Sequence, residues 1–180
     1  MTPQKDKAFA FKALHDLPGM FVLPNPWDVG SARILAGLGF KALASTSAGL
    51  PLTADLENGF GHSPETCAET IRLGAEAGLV GGSIEDFTCD AANPQYEIAA
   101  AADRVRAAVE AANALPFPFL VTARAENFFT GVPDLSDVIA RLQAYQEAGA
   151  HVLFAPGLKT MEDIKSVLGA VDRPVNVLMG

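Results

Sequence analysis

Apolar residues fall along this chain in two alternating rhythms. Short runs such as FVLPN (21–25), KALASTS (41–47), PLTADLE (51–57) and VGGSIED (80–86) read as strands. FLVTARAE (119–126), HVLFAP (151–156) and PVNVLM (174–179) continue the series, making seven. Between them, apolar positions recur three and four apart over 27–39, 64–78, 96–114, 134–149 and 160–170, the spacing of helices with one buried face. A further helix starts from the polar MTPQKDKAFAFK. Three helices close alike, in LAGLGF, AEAGLV and QEAGAHV, where glycine ends the helix and a strand follows within a few residues.

Such alternation predicts an α/β protein with parallel strands joined by helices. A (β/α)8 TIM barrel has one strand more and typically takes about 250 residues, against 180 here. The expectation is a single, incomplete barrel domain over 1–180. One junction breaks the rhythm. Only AGL separates Ser47 from Pro51, whereas a parallel crossover takes about a dozen residues or more. Either the two strands pair differently, or a crossover loop and helix are missing, which is the preferred reading. With the eighth-strand region absent as well, two sheet edges would lie open and stability would suffer.

Composition narrows the class. Hydrophobic residues make up 49% and charged residues 19%, with a formal net charge of −8. No basic cluster suits nucleic acid, and no apolar run is long enough to cross a membrane. Two cysteines, Cys67 and Cys89, fit a reducing cytoplasm better than a disulfide framework.

Parallel barrels carry their chemistry at the C-terminal ends of the strands. Those ends read Asn25, Ser47, Asp55 with Glu57, Glu85 with Asp86, Arg124 with Glu126 and Asn127, then Asn176. If PLTADLE is a strand throughout, Asp55 and Glu57 point the same way and repel. Hard carboxylate oxygens without cysteine or histidine favour Mg²⁺ or Mn²⁺, and a dication among Asp55, Glu57 and Glu85 would remove the repulsion. The plainer alternative, acids favouring helix N-termini, explains one acid more readily than three beside an arginine.

LPNPWDVGSARILAGLGF, STSAGL, ADLENGFG, GGSIED and TARAENF together resemble the isocitrate lyase/phosphoenolpyruvate mutase superfamily, over about residues 10–180. The resemblance implies a Mg²⁺-dependent barrel, and a lyase or mutase that cleaves or rearranges the C–C or P–C bond of a small 2-oxo or enol carboxylate. It implies that Ser47, Ala48 and Gly49 bind the substrate carboxylate, and that Asp55, Glu57 and Glu85 hold the metal, partly through water. Arg124 falls on the arginine that contacts substrate and the developing enolate, and a homo-oligomer, dimer or tetramer, is expected. The Lys-x-Cys-Gly-His loop of the isocitrate and methylisocitrate lyases is absent, FTCDAANPQYE standing in its place. Asn93 matches instead the loop asparagine of the phosphonopyruvate-handling branch, although Ala91 replaces that branch's usual lysine. Asn176 is a further substrate-binding candidate at its strand end. Phosphonopyruvate hydrolysis, oxaloacetate cleavage and non-catalytic oxo-acid binding remain as alternatives.

The other polar residues have structural readings. His15 is expected on an exposed helix face, His151 at the stability end of the barrel, and His62 in a loop after GFG. Trp27 is expected to pack a helix start against the barrel, and Cys67 to be buried. No lysine sits at a strand's C-terminal end for Schiff-base chemistry, and no GxGxxG follows the first strand.

Overall fold

The structure, a computed structural model, describes residues 3–44 and 52–178. Helices α1 (Gln4–Asp16) and α2 (Val29–Gly37) come first, then strands β1 (Leu43–Ala44) and β2 (Leu52–Asp55). Helices and strands then alternate as α3 (Pro64–Glu76), β3 (Gly81–Glu85), α4 (Ile98–Asn113), β4 (Leu120–Arg124), α5 (Leu135–Glu147), β5 (Val152–Phe154), α6 (Met161–Ala170) and β6 (Val175–Asn176). The six strands form one parallel sheet in the order of the chain, a partial barrel.

The helices begin where the side chains can satisfy free backbone N–H groups. Asp28 accepts from Ser31 N at 2.6 Å while Ser31 Oγ accepts from Asp28 N, a reciprocal cap on α2. Ser63, Asp134 and Thr160 cap α3, α5 and α6 in the same sense. The glycines that end the repeated wording, Gly39, Gly78 and Gly149, all take positive φ, as a left-handed helix exit requires.

Two expectations about the strands need correction. Residues 21–25 form no strand among the described residues; only Pro24 O joins β1, accepting from Ala44 N at 3.0 Å. Pro24 and the adjacent Pro26 lack N–H donors, which removes the bonds that a ladder through this segment needs. β2 stops at Asp55, so the alternation that was to align Glu57 with it does not extend that far. β1 and β2 pair in parallel, Leu43 opposite Leu52 and Ala44 opposite Thr53, so the short junction does not signal another kind of pairing.

The main core lies between the sheet and α3–α5, built from Ile71, Val105, Val109, Val121, Val138, Leu142 and Leu153. Alanines at 101, 102, 108, 111 and 112 on α4 are buried, which lets neighbouring backbones approach closely. A smaller cluster of Ala8, Phe11, Ala42, Val80 and Leu120 places α1 over the strand starts. His15 is half-buried here, edge-on to Phe11 and Phe21, contrary to the exposed position expected. Trp27 is 85% exposed instead of packed, and α2 buries only Ala32. Cys67 is buried as expected, and His151 Nδ1 accepts a backbone bond from Val121 N at the strand starts.

Candidate active site at the strand C-termini

Strand register assembles the site. Glu85 lies opposite Arg124, Arg124 opposite Phe154, and Phe154 opposite Asn176, one row across β3–β6. Paired residues of a parallel sheet share a face, so this row presents an acid, a guanidinium, an aromatic ring and an amide at one level. Arg124 lies over the Phe154 ring, 5.4 Å from its centre. One strand away, Asp55 ends β2 opposite Ser83, whose hydroxyl lies 3.3 Å from Asp55 Oδ1.

Arg124 is the hub. Its Nη1 lies 2.8 Å from Asp55 Oδ2 and 3.6 Å from Glu85 Oε2, and its Nε donates to Glu126 Oε1. Glu57 sits in a turn with φ 50°, its N–H bonded to Asp55 Oδ1 at 3.0 Å and its carbonyl accepting Glu85 N at 2.9 Å. Its exposed carboxylate has no hydrogen-bond or ion-pair partner among the described residues. The Asp55 repulsion that the sequence raised is therefore met here by Arg124.

The charges do not balance. Burial pushes the Glu85 carboxyl up to about 7; Arg124 pulls the other way, while Glu126, Asp55 and Glu57 add to the rise. Glu126 is also raised by burial, against the opposing pull of Arg124. Three carboxylates, those of Asp55, Glu85 and Glu126, share the one guanidinium of Arg124 with Glu57 close by, an excess of negative charge that favours the neutral form of Glu85. A hard dication would offset the same excess. The donor chemistry fits such an ion: oxygen ligands only, in excess of their counter-charge. Among the described residues, however, no three His, Cys, Asp or Glu side chains are grouped to hold one; Arg124 occupies the centre.

Asp86, next to Glu85, has a different place from the one its strand-end position suggested. It is 2% exposed, and its carboxylate accepts from Arg141 Nη1 (3.0 Å), Tyr145 Oη (2.5 Å), Glu126 N (2.9 Å) and Gln95 Nε2 (3.4 Å). Arg141 also reaches Asp137 and Tyr96 O, and Asn127 bridges Gln95 and Asp137. This buried network fixes the loop after β4, and with it Glu126 and the end of Arg124's strand. No feature of spacing in the sequence marked Tyr145 or Arg141 as partners of Asp86.

The remaining candidates are placed as follows. Asn93 lies in an exposed turn of its own, its N–H on Asp90 O and its carbonyl accepting Thr88 Oγ1 at 2.5 Å; no bond joins it to the acids or Arg124. Ser47, Ala48 and Gly49 lie outside the described residues. His62 Nδ1 is 2.6 Å from Tyr96 Oη, a loop histidine as expected.

A crystal structure from Burkholderia cenocepacia J2315, provisionally described as a lyase/mutase, superposes with a TM-score of 0.96 at 53% identity, over 98% of this chain and 74% of that one. Oxaloacetate decarboxylase 1 of Pseudomonas putida is 26% identical over 207 residues, 95% of this chain and 70% of its own. 2-Methylisocitrate lyase of Escherichia coli is 34% identical over 133 residues, covering 70% of this chain and 43% of the enzyme. The family model for phosphoenolpyruvate phosphomutase matches residues 11–50 and 48–180, two stretches that meet at the junction between β1 and β2. With that match across nearly all its length, the chain belongs to the phosphoenolpyruvate phosphomutase family, within the superfamily that also holds isocitrate lyase.

Proposed function

We propose that this protein is a divalent-metal-dependent lyase or mutase acting on a small 2-oxo or enol carboxylate. The observation that carries the reading is the meeting of Asp55, Glu85 and Arg124 at the C-terminal ends of three adjacent strands, with Glu57 in the next turn. Asp55, Glu57 and Glu85 would hold Mg²⁺ or Mn²⁺ by exchanging the contacts that Asp55 and Glu85 now make with Arg124 for contacts with the ion. When bound, the ion would polarise the substrate's oxo group as a Lewis acid. Arg124, tethered by Glu126, orients the substrate carboxylate and stabilises negative charge as the bond beyond C3 breaks. Asn176, two strands away on the same row, supplies an amide to the other end of the ligand. Oxaloacetate decarboxylase among the relatives supports this class of substrate, oxaloacetate being a small 2-oxo acid.

A second reading is a protein that binds oxo acids without turning them over. It is favoured by the junction of seven residues between β1 and β2, where the later parallel pairs each have an intervening helix, and by Asn93 making its bonds within its own turn, to Asp90 and Thr88. One assay separates the two. The chain is incubated with Mg²⁺ and oxaloacetate, 2-methylisocitrate or phosphonopyruvate, and pyruvate is followed through a coupled dehydrogenase, with pyruvate kinase and ADP added in a parallel run to register phosphoenolpyruvate. Release that EDTA abolishes supports the enzyme; saturable binding with no release supports the binder.

A further inference from the structure

Outside the acids and Arg124, the most unusual buried group is Arg104. It stands on the inner face of α4 among Ala101, Ala102, Val105 and Ala108, and is 1% exposed. Among the described residues no carboxylate lies within ion-pair distance of it, and its Nε has no hydrogen-bond partner. Burying an unpaired guanidinium is costly, and an aliphatic residue would fill this alanine-rich face without that cost. Something must hold the charge there.

The compensation comes from the turn that follows the acids. Arg104 Nη2 donates to Asn58 O and Nη1 to His62 O, while its guanidinium carbon lies 4.3 Å from the centre of the Tyr96 ring. That turn cannot satisfy its own carbonyls in a ladder, because Glu57, Gly59 and Phe60 all take left-handed backbone, with φ of 50°, 77° and 57°. Thr70 Oγ1 takes the carbonyl between, on Gly59, at 2.8 Å. At the other end the turn is tied to the site, for Glu57 O accepts Glu85 N at 2.9 Å and Glu57 N reaches Asp55 Oδ1 at 3.0 Å. The turn is thus stretched between Arg104 and the acidic cluster.

We propose that Arg104 is a positioning residue: by clamping Asn58 O and His62 O together it fixes the left-handed turn that sets Glu57 beside Asp55 and Glu85. Its consequence for metal binding rests on the reading of those three acids as metal ligands. Lysine cannot reproduce the clamp, since its single ammonium lacks the planar fork that reaches two carbonyls at once.

The test compares wild type with Arg104→Lys in two readouts, each with thermal unfolding as a check on folding. The first is amide hydrogen exchange across residues 57–62 without metal. Arg104→Lys should speed exchange there by about tenfold or more, with the other helices and strands unchanged; equal exchange overturns the clamp. The second is Mn²⁺ affinity by electron paramagnetic resonance, which should weaken by about 10- to 100-fold, as for other groups that orient metal ligands. Unchanged affinity with a loosened turn overturns the positioning role. If Arg104→Lys does not fold, Thr70→Val, which removes the tether on Gly59 O, is read in the same two ways, and a turn and affinity both unchanged overturn the proposal. Wild type that binds no Mn²⁺ overturns the metal reading of the acids, while the clamp is still judged on exchange.

Discussion

Replacing Asp86 by asparagine leaves its shape and removes its charge. In the native chain Asp86 Oδ2 accepts from Arg141 Nη1 at 3.0 Å and Tyr145 Oη at 2.5 Å, while Oδ1 accepts from Glu126 N at 2.9 Å. An amide can turn only one oxygen to these donors, so its NH₂ faces either the pair on Oδ2 or the backbone N–H. Each hydrogen bond to a charged group contributes about 1.5–3 kcal/mol net. Arg141 keeps Asp137 and Tyr96 O, which reduces the loss from the figure of about 3–5 kcal/mol for a fully broken buried pair. We therefore expect Asp86→Asn to cost about 3–4 kcal/mol. At about 2–4 °C per kcal/mol for a chain of this size, Tm falls by about 6–16 °C. Tyr145→Phe removes one of the same bonds and should cost about 1–2 kcal/mol. Because both act on one carboxylate, the double variant should fall short of the sum by about 1 kcal/mol. Urea titration monitored by circular dichroism measures all three. A loss under 1 kcal/mol for Asp86→Asn, or strict additivity with Tyr145→Phe, would refute the view that this network holds the β4 loop.

Further outcomes concern the acids and Arg124. Glu85 has a folded pKa of about 7, above its ordinary value of 4.5, so its contribution to stability is complete below about pH 4.5 and is lost as pH rises through 7. After allowance for solvent at its outer edge, metal-free Glu85→Gln should be about 1–2 kcal/mol more stable than wild type at pH 8 and equal to it near pH 4.5; thermal melts across that range check the crossover. Arg124→Ala should lower kcat by about 10²–10³ if it stabilises developing charge. Its fold, read by circular dichroism, should survive.

Much of this arrangement was legible in the residues. The six helices of the described residues fall where apolar spacing put them, and α2, α3 and α5 end at the glycines Gly39, Gly78 and Gly149, whose positive φ is an explicit stop signal. FVLPN failed as a strand because Pro24 within it and Pro26 just after it lack the N–H donors that a backbone ladder needs, whatever the apolar pattern around them. Asp55, Glu85, Arg124 and Asn176 were visible as strand-end polar residues, and parallel register then carried three of them onto one row. Glu57 was harder. Its left-handed φ breaks the period-two rule just past the strand, and a non-glycine residue gives no warning of that conformation. Asp86, Tyr145 and Arg141 were missed as a unit, since their bonds span 55 and 59 residues and no local spacing encodes them. Arg104 was hidden for a related reason: in sequence it is one basic residue on an amphipathic helix, and only the turn it reaches reveals its use.

The most direct measurement of the central claim is proton exchange at C3 of pyruvate, which reports the enolate that the proposed bond cleavage leaves behind. The chain is placed in D₂O with pyruvate and Mg²⁺, and loss of the methyl signal is followed by NMR. Exchange that requires the metal and disappears in Arg124→Ala is the predicted result. Pyruvate bound without exchange, or exchange indifferent to Arg124, would contradict the account.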